Sequence, residues 1–226
     1  MASDNSQDKQ SSPLSQLFGL FTGIPIGNLL SIGLELGPKL FGGHRLEGMY
    51  EVLEYESTLE LKDTKGKCAC FRKREKVRYL QDNIIAYQDQ AWGDGEILLG
   101  YRCTPGAAVD FHRPAHKTYV LISLREVKNR GDVDEFNIQW EIHNGFRRSQ
   151  ESWETEVSHP TGRVKVRVVF PKSRPPLRAT LIEDTRHRTQ ILNEDAQLRL
   201  PDGRWQLTWE NDRPLLHERY ILKWDW

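Results

Sequence analysis

The chain has 226 residues, of which 38% are hydrophobic and 28% are charged. This length and apolar content suffice for the core of one large β domain or two small ones. Its 32 lysines and arginines balance its 32 aspartates and glutamates, so the formal net charge is zero. A net charge of zero argues against a protein whose whole surface binds nucleic acid or an anionic membrane. Any such binding has to come from a local basic patch.

The first residues, 1–13, are predicted to form a disordered leader, because they are polar and of low hydrophobicity. Asp4 and Asp8 stand where a cleavable signal peptide has its basic region, so no such signal is expected. The three cysteines are an odd count, which favours a reducing compartment over a disulfide framework. We therefore expect a cytoplasmic protein.

Residues 14–43, here called the N-terminal segment, are predicted to form a hydrophobic helical region. The run from Ser11 to Gly37 carries no charge before Glu35, and Pro25 divides it into two stretches with apolar residues at helical spacing. The pattern predicts two short helices joined by a kink. The side chains expected to contact a membrane or a partner protein are Leu17, Phe18, Phe21, Ile24, Leu29, Leu30, Ile32 and Leu36.

Three roles for the N-terminal segment remain open. Its helices could pack on a sheet face of the same chain, span or insert into a membrane, or lie at an interface as an anchor or self-assembly element. Small residues spaced by four, Gly19, Gly23 and Gly27, would allow close helix approach, and with it a homo-oligomer. The basic residues after the segment favour placing the rest of the chain at the cytoplasmic face of the inner membrane.

The chain after Gly43 shows short runs with period-two alternation, separated by turn residues, which is typical of antiparallel strands. We predict a mainly β fold, an antiparallel sandwich or barrel, with a β-rich lobe at 46–130 and a sandwich lobe of immunoglobulin-like size at 131–226. About ten strands are predicted, at 50–61, 67–80, 96–103, 118–127, 135–143, 152–157, 163–170, 178–183, 204–209 and 219–226.

The densest basic run, "CFRKREKVR", is the candidate binding site. On a strand, its residues Arg72, Arg74, Lys76 and Arg78 share one face. Such a row could hold the phosphates of a nucleotide, a lipid headgroup or another anionic ligand, whereas the neutral composition disfavours nucleic acid. The alternative is that these charges form an ordinary solvated face, or that they protect an edge strand from aggregation.

Catalytic and metal-binding motifs are not found in the sequence. Cysteine and histidine residues that could in principle bind zinc are Cys68, Cys70, Cys103, His112 and His116. The spacing C-x-C is not a zinc knuckle, and Pro114 opposes the helix that would align the two histidines, so no metal site is expected. Phosphate-binding loops and the signatures of nucleophilic enzymes are absent. We therefore expect a non-enzymatic protein without a cofactor.

The layout, a short hydrophobic region from Leu14 to Leu40 followed by strands after Met49, resembles that of small bacterial membrane effectors in antiphage defence. The resemblance implies a β-barrel that senses a nucleotide signal and helices that disrupt the inner membrane. The leading hypothesis is a membrane-associated effector or sensor whose N-terminal segment is controlled by the β-rich domain. The alternative is a soluble β-sandwich adaptor whose N-terminal helices dock on a partner protein.

Overall fold

The computed structural model of the protein describes residues 48–226, so the leader and the N-terminal segment lie outside the described residues. The described part contains fourteen strands and a short 3-10 helix, Glu194–Ala196. The strands are β1 (Tyr50–Leu61), β2 (Cys68–Tyr79), β3 (Ile84–Ala91), β4 (Glu96–Thr104), β5 (Ala107–His112), β6 (Thr118–Lys128), β7 (Val133–His143), β8 (Gln150–Glu156), β9 (Val164–Phe170), β10 (Arg178–Glu183), β11 (Arg188–Leu192), β12 (Gln197–Arg199), β13 (Trp205–Asn211) and β14 (Arg219–Asp225).

The strands form three sheets arranged as a sandwich. A seven-stranded sheet has the order β12-β13-β9-β1-β2-β7-β4, a four-stranded sheet the order β11-β10-β14-β8, and a three-stranded sheet the order β3-β6-β5. One face of the large sheet packs against both small sheets. Tyr87 of β3 stacks on Phe136 of β7 with ring centroids 4.0 Å apart, and Trp153 of β8 lies 4.9 Å from Phe71 of β2. The predicted mainly β fold is confirmed.

Alternation of apolar and polar residues determines which face of each strand enters the core. In β7, Phe136, Ile138, Trp140 and Ile142 are buried, and the residues between them are exposed. Successive side chains of a strand point to opposite faces, so a period of two produces one dry face and one wet face. Burying each of these side chains stabilises the fold by roughly 1.5–3 kcal/mol.

All ten predicted strands are present, and four others, β3, β5, β11 and β12, were not predicted. β3 was not predicted because a shift in its pairing register between Ile84 and Ala86 interrupts the alternation of apolar and polar residues. β5 and β11 are mostly exposed or half-buried, so they lack an apolar face. β1 and β9 are parallel, whereas the fold was predicted to be antiparallel. Their pairing runs from Tyr55 opposite Val164 to Glu60 opposite Val169.

Strands from both predicted lobes belong to the same seven-stranded sheet. β2 pairs with β7 along its whole length, from Cys68 opposite His143 to Arg78 opposite Val133. Residues 46–226 form one compact unit, so the predicted boundary near residue 130 lies inside it. Backbone hydrogen bonding between strands distant in sequence joins the two halves, and no local sequence signal reports such pairing.

Among the residues that the structure describes, no helical segment has both the length and the apolar character that a membrane crossing requires. The predicted helices at 14–43 precede this part of the chain and stay predictions.

Candidate functional site

The basic run forms the middle of β2, and the strand places Arg72, Arg74, Lys76 and Arg78 on the outer face of the seven-stranded sheet. The intervening residues, which include Phe71 and the buried Val77 and Tyr79, face the core. This is the arrangement that the alternation predicts. β2 is a central strand between β1 and β7, so the charges do not protect a sheet edge.

Strand register extends the basic row sideways across the sheet. Arg72 lies opposite Thr58 of β1 on one side and Gln139 of β7 on the other. Thr58 in turn lies opposite Arg167 of β9, and Gln139 lies opposite Arg102 of β4. Neighbouring strands are about 4.8 Å apart, so each outer arginine is about 10 Å from the central one, measured between strand axes. Five adjacent strands thus present three arginines and two neutral polar side chains in one line.

This line forms the floor of a shallow groove of about 580 Å³, here called the arginine groove. Six of its lining residues carry a charge, and five of the six are basic. The lining residues are Glu56, Thr58, Arg72, Lys73, Arg74, Arg102, Cys103, Thr104, Asn137, Ile138, Gln139 and Arg167. The ammonium of Lys73 is buried and paired with Glu75 and Asp89, so the charged groups in the rest of the lining are four guanidinium groups and one carboxylate.

Carboxylates on the same face hold two of these arginines in place. Arg74 Nη2 lies 2.8 Å from Glu54 Oε2 and 2.9 Å from Glu56 Oε1, and its Nη1 lies 3.0 Å from Glu135 Oε2. Arg167 Nη1 lies 3.1 Å from Glu56 Oε2. Partial burial opposes ionisation of Glu56, but its hydrogen bonds to Arg74 and Arg167 outweigh this effect and lower its pKa. The pairs pre-orient both guanidinium groups at the groove.

Arg72 belongs to a second network, centred on Glu60 of β1. Glu60 accepts contacts from Lys62 at 2.7 Å, from Arg72 at 2.9 Å and from Arg204 at 2.5 Å. Burial alone would raise the pKa of Glu60, but the hydrogen bonds from Lys62 and Arg72 dominate and lower it to about 2. Three cations share one carboxylate here, so the positive charge of Arg72 is only partly compensated.

Arg102 is the least compensated cation of the arginine groove. It is exposed, and no ion pair to it is formed within residues 48–226. The sequence analysis missed Arg102 and Arg167. Arg102 is a single basic residue in the run "LLGYRCT", so no local pattern marks it, whereas Arg167 follows Arg163 and Lys165 at alternate positions, a short basic row that could have marked it. Only the pairing β4-β7-β2-β1-β9 brings them to Arg72.

The other two predicted residues, Lys76 and Arg78, lie on the same face but do not line the arginine groove. Arg78 Nη1 lies 3.3 Å from Glu51 Oε1 in a cross-strand pair. The basic run is thus divided into one half at the groove and one half beside it.

A second concavity, of about 740 Å³ and here called the tryptophan cleft, opens between the loops at one end of the sandwich and the four-stranded sheet. Its aromatic residues are Trp92, Phe146 and Trp153, and its charged residues are Asp94, Arg113, Lys117, Arg148, Glu151, Glu154, Glu156, Asp184 and Arg219. Five acids and four bases are therefore close together, and most are paired. The mixed charge suits a polar ligand of low net charge rather than an anion.

Polar contacts organise the wall of the tryptophan cleft. Trp92 Nε1 donates to Glu154 Oε2 at 3.3 Å, and Lys117 Nζ lies 5.0 Å from the centroid of the Trp92 ring while it pairs with Glu156. The indole Nε1 of Trp153 is buried and has no hydrogen-bond acceptor among the described residues, and its ring packs on Phe71 and Phe146.

The cysteine and histidine residues considered for zinc do not assemble. Within residues 48–226, no group of three or more Cys, His, Asp or Glu side chains is arranged to hold a metal ion. Cys68 is exposed, Cys70 is buried and Cys103 is half-buried, and all three are free thiols. Asp132 has a turn role, since its Oδ2 accepts the backbone N–H of Asn129 at 2.8 Å.

Comparison with known proteins identifies no family. No protein-family model matches the chain, and no curated protein matches it. Among solved structures, an M1 zinc metallopeptidase from Deinococcus radiodurans is similar to 78% of this chain with 12% identity and a TM-score of 0.46. A mutant of that enzyme bound to a Tyr-Ser-Ala substrate is similar to 76% of the chain, with 12% identity and a TM-score of 0.48. The chain covers 42% of the length of each of these enzymes.

Proposed function

We propose that the protein is a non-enzymatic sensor in which the β domain binds an anionic, phosphate-bearing ligand in the arginine groove and thereby controls the N-terminal segment. The observation that carries the proposal is the convergence of Arg72, Arg74, Arg102 and Arg167 from three strands on one groove that contains one carboxylate. Guanidinium groups bind phosphate through two parallel hydrogen bonds, which makes arginine the preferred residue for this chemistry.

The spacing of the arginines favours a ligand with more than one anionic group. The three arginines of the central row are about 10 Å apart from strand to strand, which is too far for one phosphate to contact all of them. A nucleotide with several phosphates, or a polyphosphorylated lipid headgroup, would match this spacing. Thr58 and Gln139 between the arginines would contribute neutral hydrogen bonds.

The N-terminal segment would be the output of this sensor. It precedes β1 in the chain, and β1 contributes Thr58 and Glu56 to the arginine groove. A ligand on the outer face of β1 would therefore act on the strand that follows the segment. Release of the apolar side chains of residues 14–43 would then attach the protein to the cytoplasmic face of the inner membrane, where the segment acts as an effector.

Two measurements on the full chain test the two halves of the proposal. For the groove, titration calorimetry with inorganic triphosphate should show binding that is lost in the double variant Arg72→Glu, Arg74→Glu and retained in Arg78→Glu. The last variant reverses a charge on the same strand outside the groove. Equal affinities in all three proteins would contradict a ligand role for the groove.

For the segment, flotation with liposomes should bring up the full chain, and neither the triple variant Leu17→Asp, Phe21→Asp, Ile24→Asp nor a chain starting at Gly43 should float. Aspartates on the apolar helix face would make insertion unfavourable by roughly 2.5–3.5 kcal/mol for each residue at the membrane centre. If the triple variant floats as well as the original protein, the segment does not bind the membrane.

A soluble interaction module is the second candidate function, and the tryptophan cleft supports it. A lining of paired acids and bases beside Trp92 suits a polar peptide of low net charge. In that case the N-terminal helices would dock on a partner protein or on the domain itself. Docking on the domain would make the full chain melt at a higher temperature than the chain starting at Gly43, and neither protein would float.

A further inference from the structure

A lysine and two carboxyl groups meet in the core between the seven-stranded and three-stranded sheets. Lys73 Nζ of β2 lies 2.5 Å from Asp89 Oδ1 of β3 and 2.8 Å from Glu75 Oε2 of β2. The other oxygen of Asp89, Oδ2, accepts a hydrogen bond of 2.8 Å from the phenol of Tyr101 in β4. These four residues are called the lysine-carboxyl cluster below.

The cluster is cut off from water. The exposed fractions of Lys73, Glu75 and Asp89 are 8%, 6% and 2%. Lys73 Nζ lies 5.8 Å and 6.0 Å from the ring centroids of Tyr55 and Tyr87. Holding one cation and two carboxyl groups in such a place costs several kcal/mol per ion, and the arrangement keeps an amine, an acid and a proton acceptor in contact.

We propose that Lys73 and Asp89 condense to an intramolecular isopeptide bond, with Glu75 as the proton carrier. Two of the three ammonium protons of Lys73 leave through Glu75. The Nζ lone pair attacks Asp89 Cγ, a C–N bond forms, and the bond from Cγ to Oδ1 breaks. The departing oxygen takes both protons and leaves as water, while Glu75 returns to its initial charge. One ammonium and one carboxylate thus become one amide and one water, with no oxidant or other reactant.

Each neighbour has a role that its position defines. Tyr101 donates to Oδ2, the oxygen that remains as the amide carbonyl, and so stabilises the charge that develops there during attack. Burial raises the pKa of the Tyr101 phenol, and the charge of Asp89 adds to the effect, so the donor stays protonated. The fixed contact between Nζ and the carboxyl group replaces a bimolecular encounter.

Proton transfer is the slow step. Burial disfavours the ammonium form of Lys73, but the charges of Asp89 and Glu75 outweigh it and raise the pKa of the lysine. The amine is therefore freed only when Glu75 accepts its proton. Transfer within the cluster converts an ion pair into two neutral groups, and neutral groups need no hydration, so burial lowers the cost of this step relative to water. The bond is expected to form over the lifetime of the folded protein rather than at once.

The bond would join two layers of the sandwich. Lys73 and Asp89 are sixteen positions apart, on strands of different sheets. A covalent link between them would hold the three-stranded sheet on the inner face of β2, directly beneath the arginine groove. This proposal does not depend on ligand binding at the groove.

The test is the intact mass of the full chain, followed during incubation under native conditions. The expected result is the loss of one water, retained after denaturation and reduction, with a cross-linked peptide pair that contains Lys73 and Asp89. The variants Glu75→Gln and Lys73→Arg should keep the full mass. Lys76→Arg, a control on the outer face of the same strand, should lose water like the original protein.

Two results would overturn the proposal. One is a folded original protein, verified by circular dichroism, that keeps its full mass after prolonged incubation. The other is a water loss that persists in Lys73→Arg, because aspartate before glycine, as at Asp94 and Asp202, loses the same mass when it cyclises to a succinimide. The first of these results is measured on the original protein alone, so it tests the proposal even if a variant does not fold.

Discussion

Charge reversal at Arg102 tests the arginine groove with the least disturbance to the fold. Arg102 is exposed and forms no ion pair within residues 48–226, so Arg102→Glu should change the free energy of unfolding by less than about 0.5 kcal/mol. The same replacement at Arg74 would also break three ion pairs, so a loss of binding in the double variant Arg72→Glu, Arg74→Glu counts only when circular dichroism shows an unchanged fold.

The expected effect on binding follows from two contributions. A hydrogen bond from a charged donor to a phosphate contributes about 1.5–3 kcal/mol, and its loss weakens binding about 10- to 100-fold. The new carboxylate also repels a second phosphate about 10 Å away by roughly 0.4 kcal/mol in water, or about 1.7 kcal/mol at an effective dielectric constant of 20. Arg102→Glu should therefore weaken binding of inorganic triphosphate at least about 10-fold.

Titration calorimetry at two salt concentrations provides the measurement. The original protein should lose affinity as salt rises, and the Arg102→Glu protein should show a smaller salt dependence, because one cation fewer takes part. Arg78→Glu has the same change in charge outside the groove and serves as the control. Equal losses of affinity in both variants would contradict a ligand role for the groove, because the electrostatic field of the whole surface would then attract the ligand.

Three further predictions concern stability. Gly66→Ala should lower the melting temperature strongly, because a Cβ there would lie 1.5 Å from the carbonyl oxygen of Phe146. Gly131 also has a positive φ but faces open space, so Gly131→Ala should lower the free energy of unfolding by only about 1–2 kcal/mol. Trp224→Ala should lower the free energy of unfolding by about 3–5 kcal/mol in urea titrations, and a smaller loss would mean that the site collapses around the cavity. The pKa of Glu60 is near 4.5 in the unfolded chain and about 2 in the folded protein. Its ion pairs therefore stabilise the fold fully at pH values above 4.5, and this contribution disappears as the pH falls towards 2. Glu60→Gln should therefore cost about 1–3 kcal/mol at neutral pH and nothing near pH 2; a cost that is independent of pH would contradict the charge argument.

The alternation of residue types was sufficient to locate most strands of the sandwich and to assign their faces. A strand with one buried face needs apolar residues at every second position, so β7 and β9 can be recognised without a partner strand. The same rule placed Arg72 and Arg74 on one outer face. It failed for β3, where a register shift interrupts the period, and for the exposed strand β11, which has no apolar face.

The candidate sites depend on pairings that the local sequence does not encode. Arg102 and Arg167 join Arg72 only because β4 and β9 lie two strands away from β2 on opposite sides. Lys73 meets Asp89 because two sheets pack face to face, although β2 read alone shows Lys73 simply as one charge among many. Local alternation depends on burial and is carried by each segment alone, whereas strand order and sheet packing depend on the free energy of the whole chain. The sequence by itself therefore determined the class of fold and the faces of its strands, and the tertiary structure decided which charges meet.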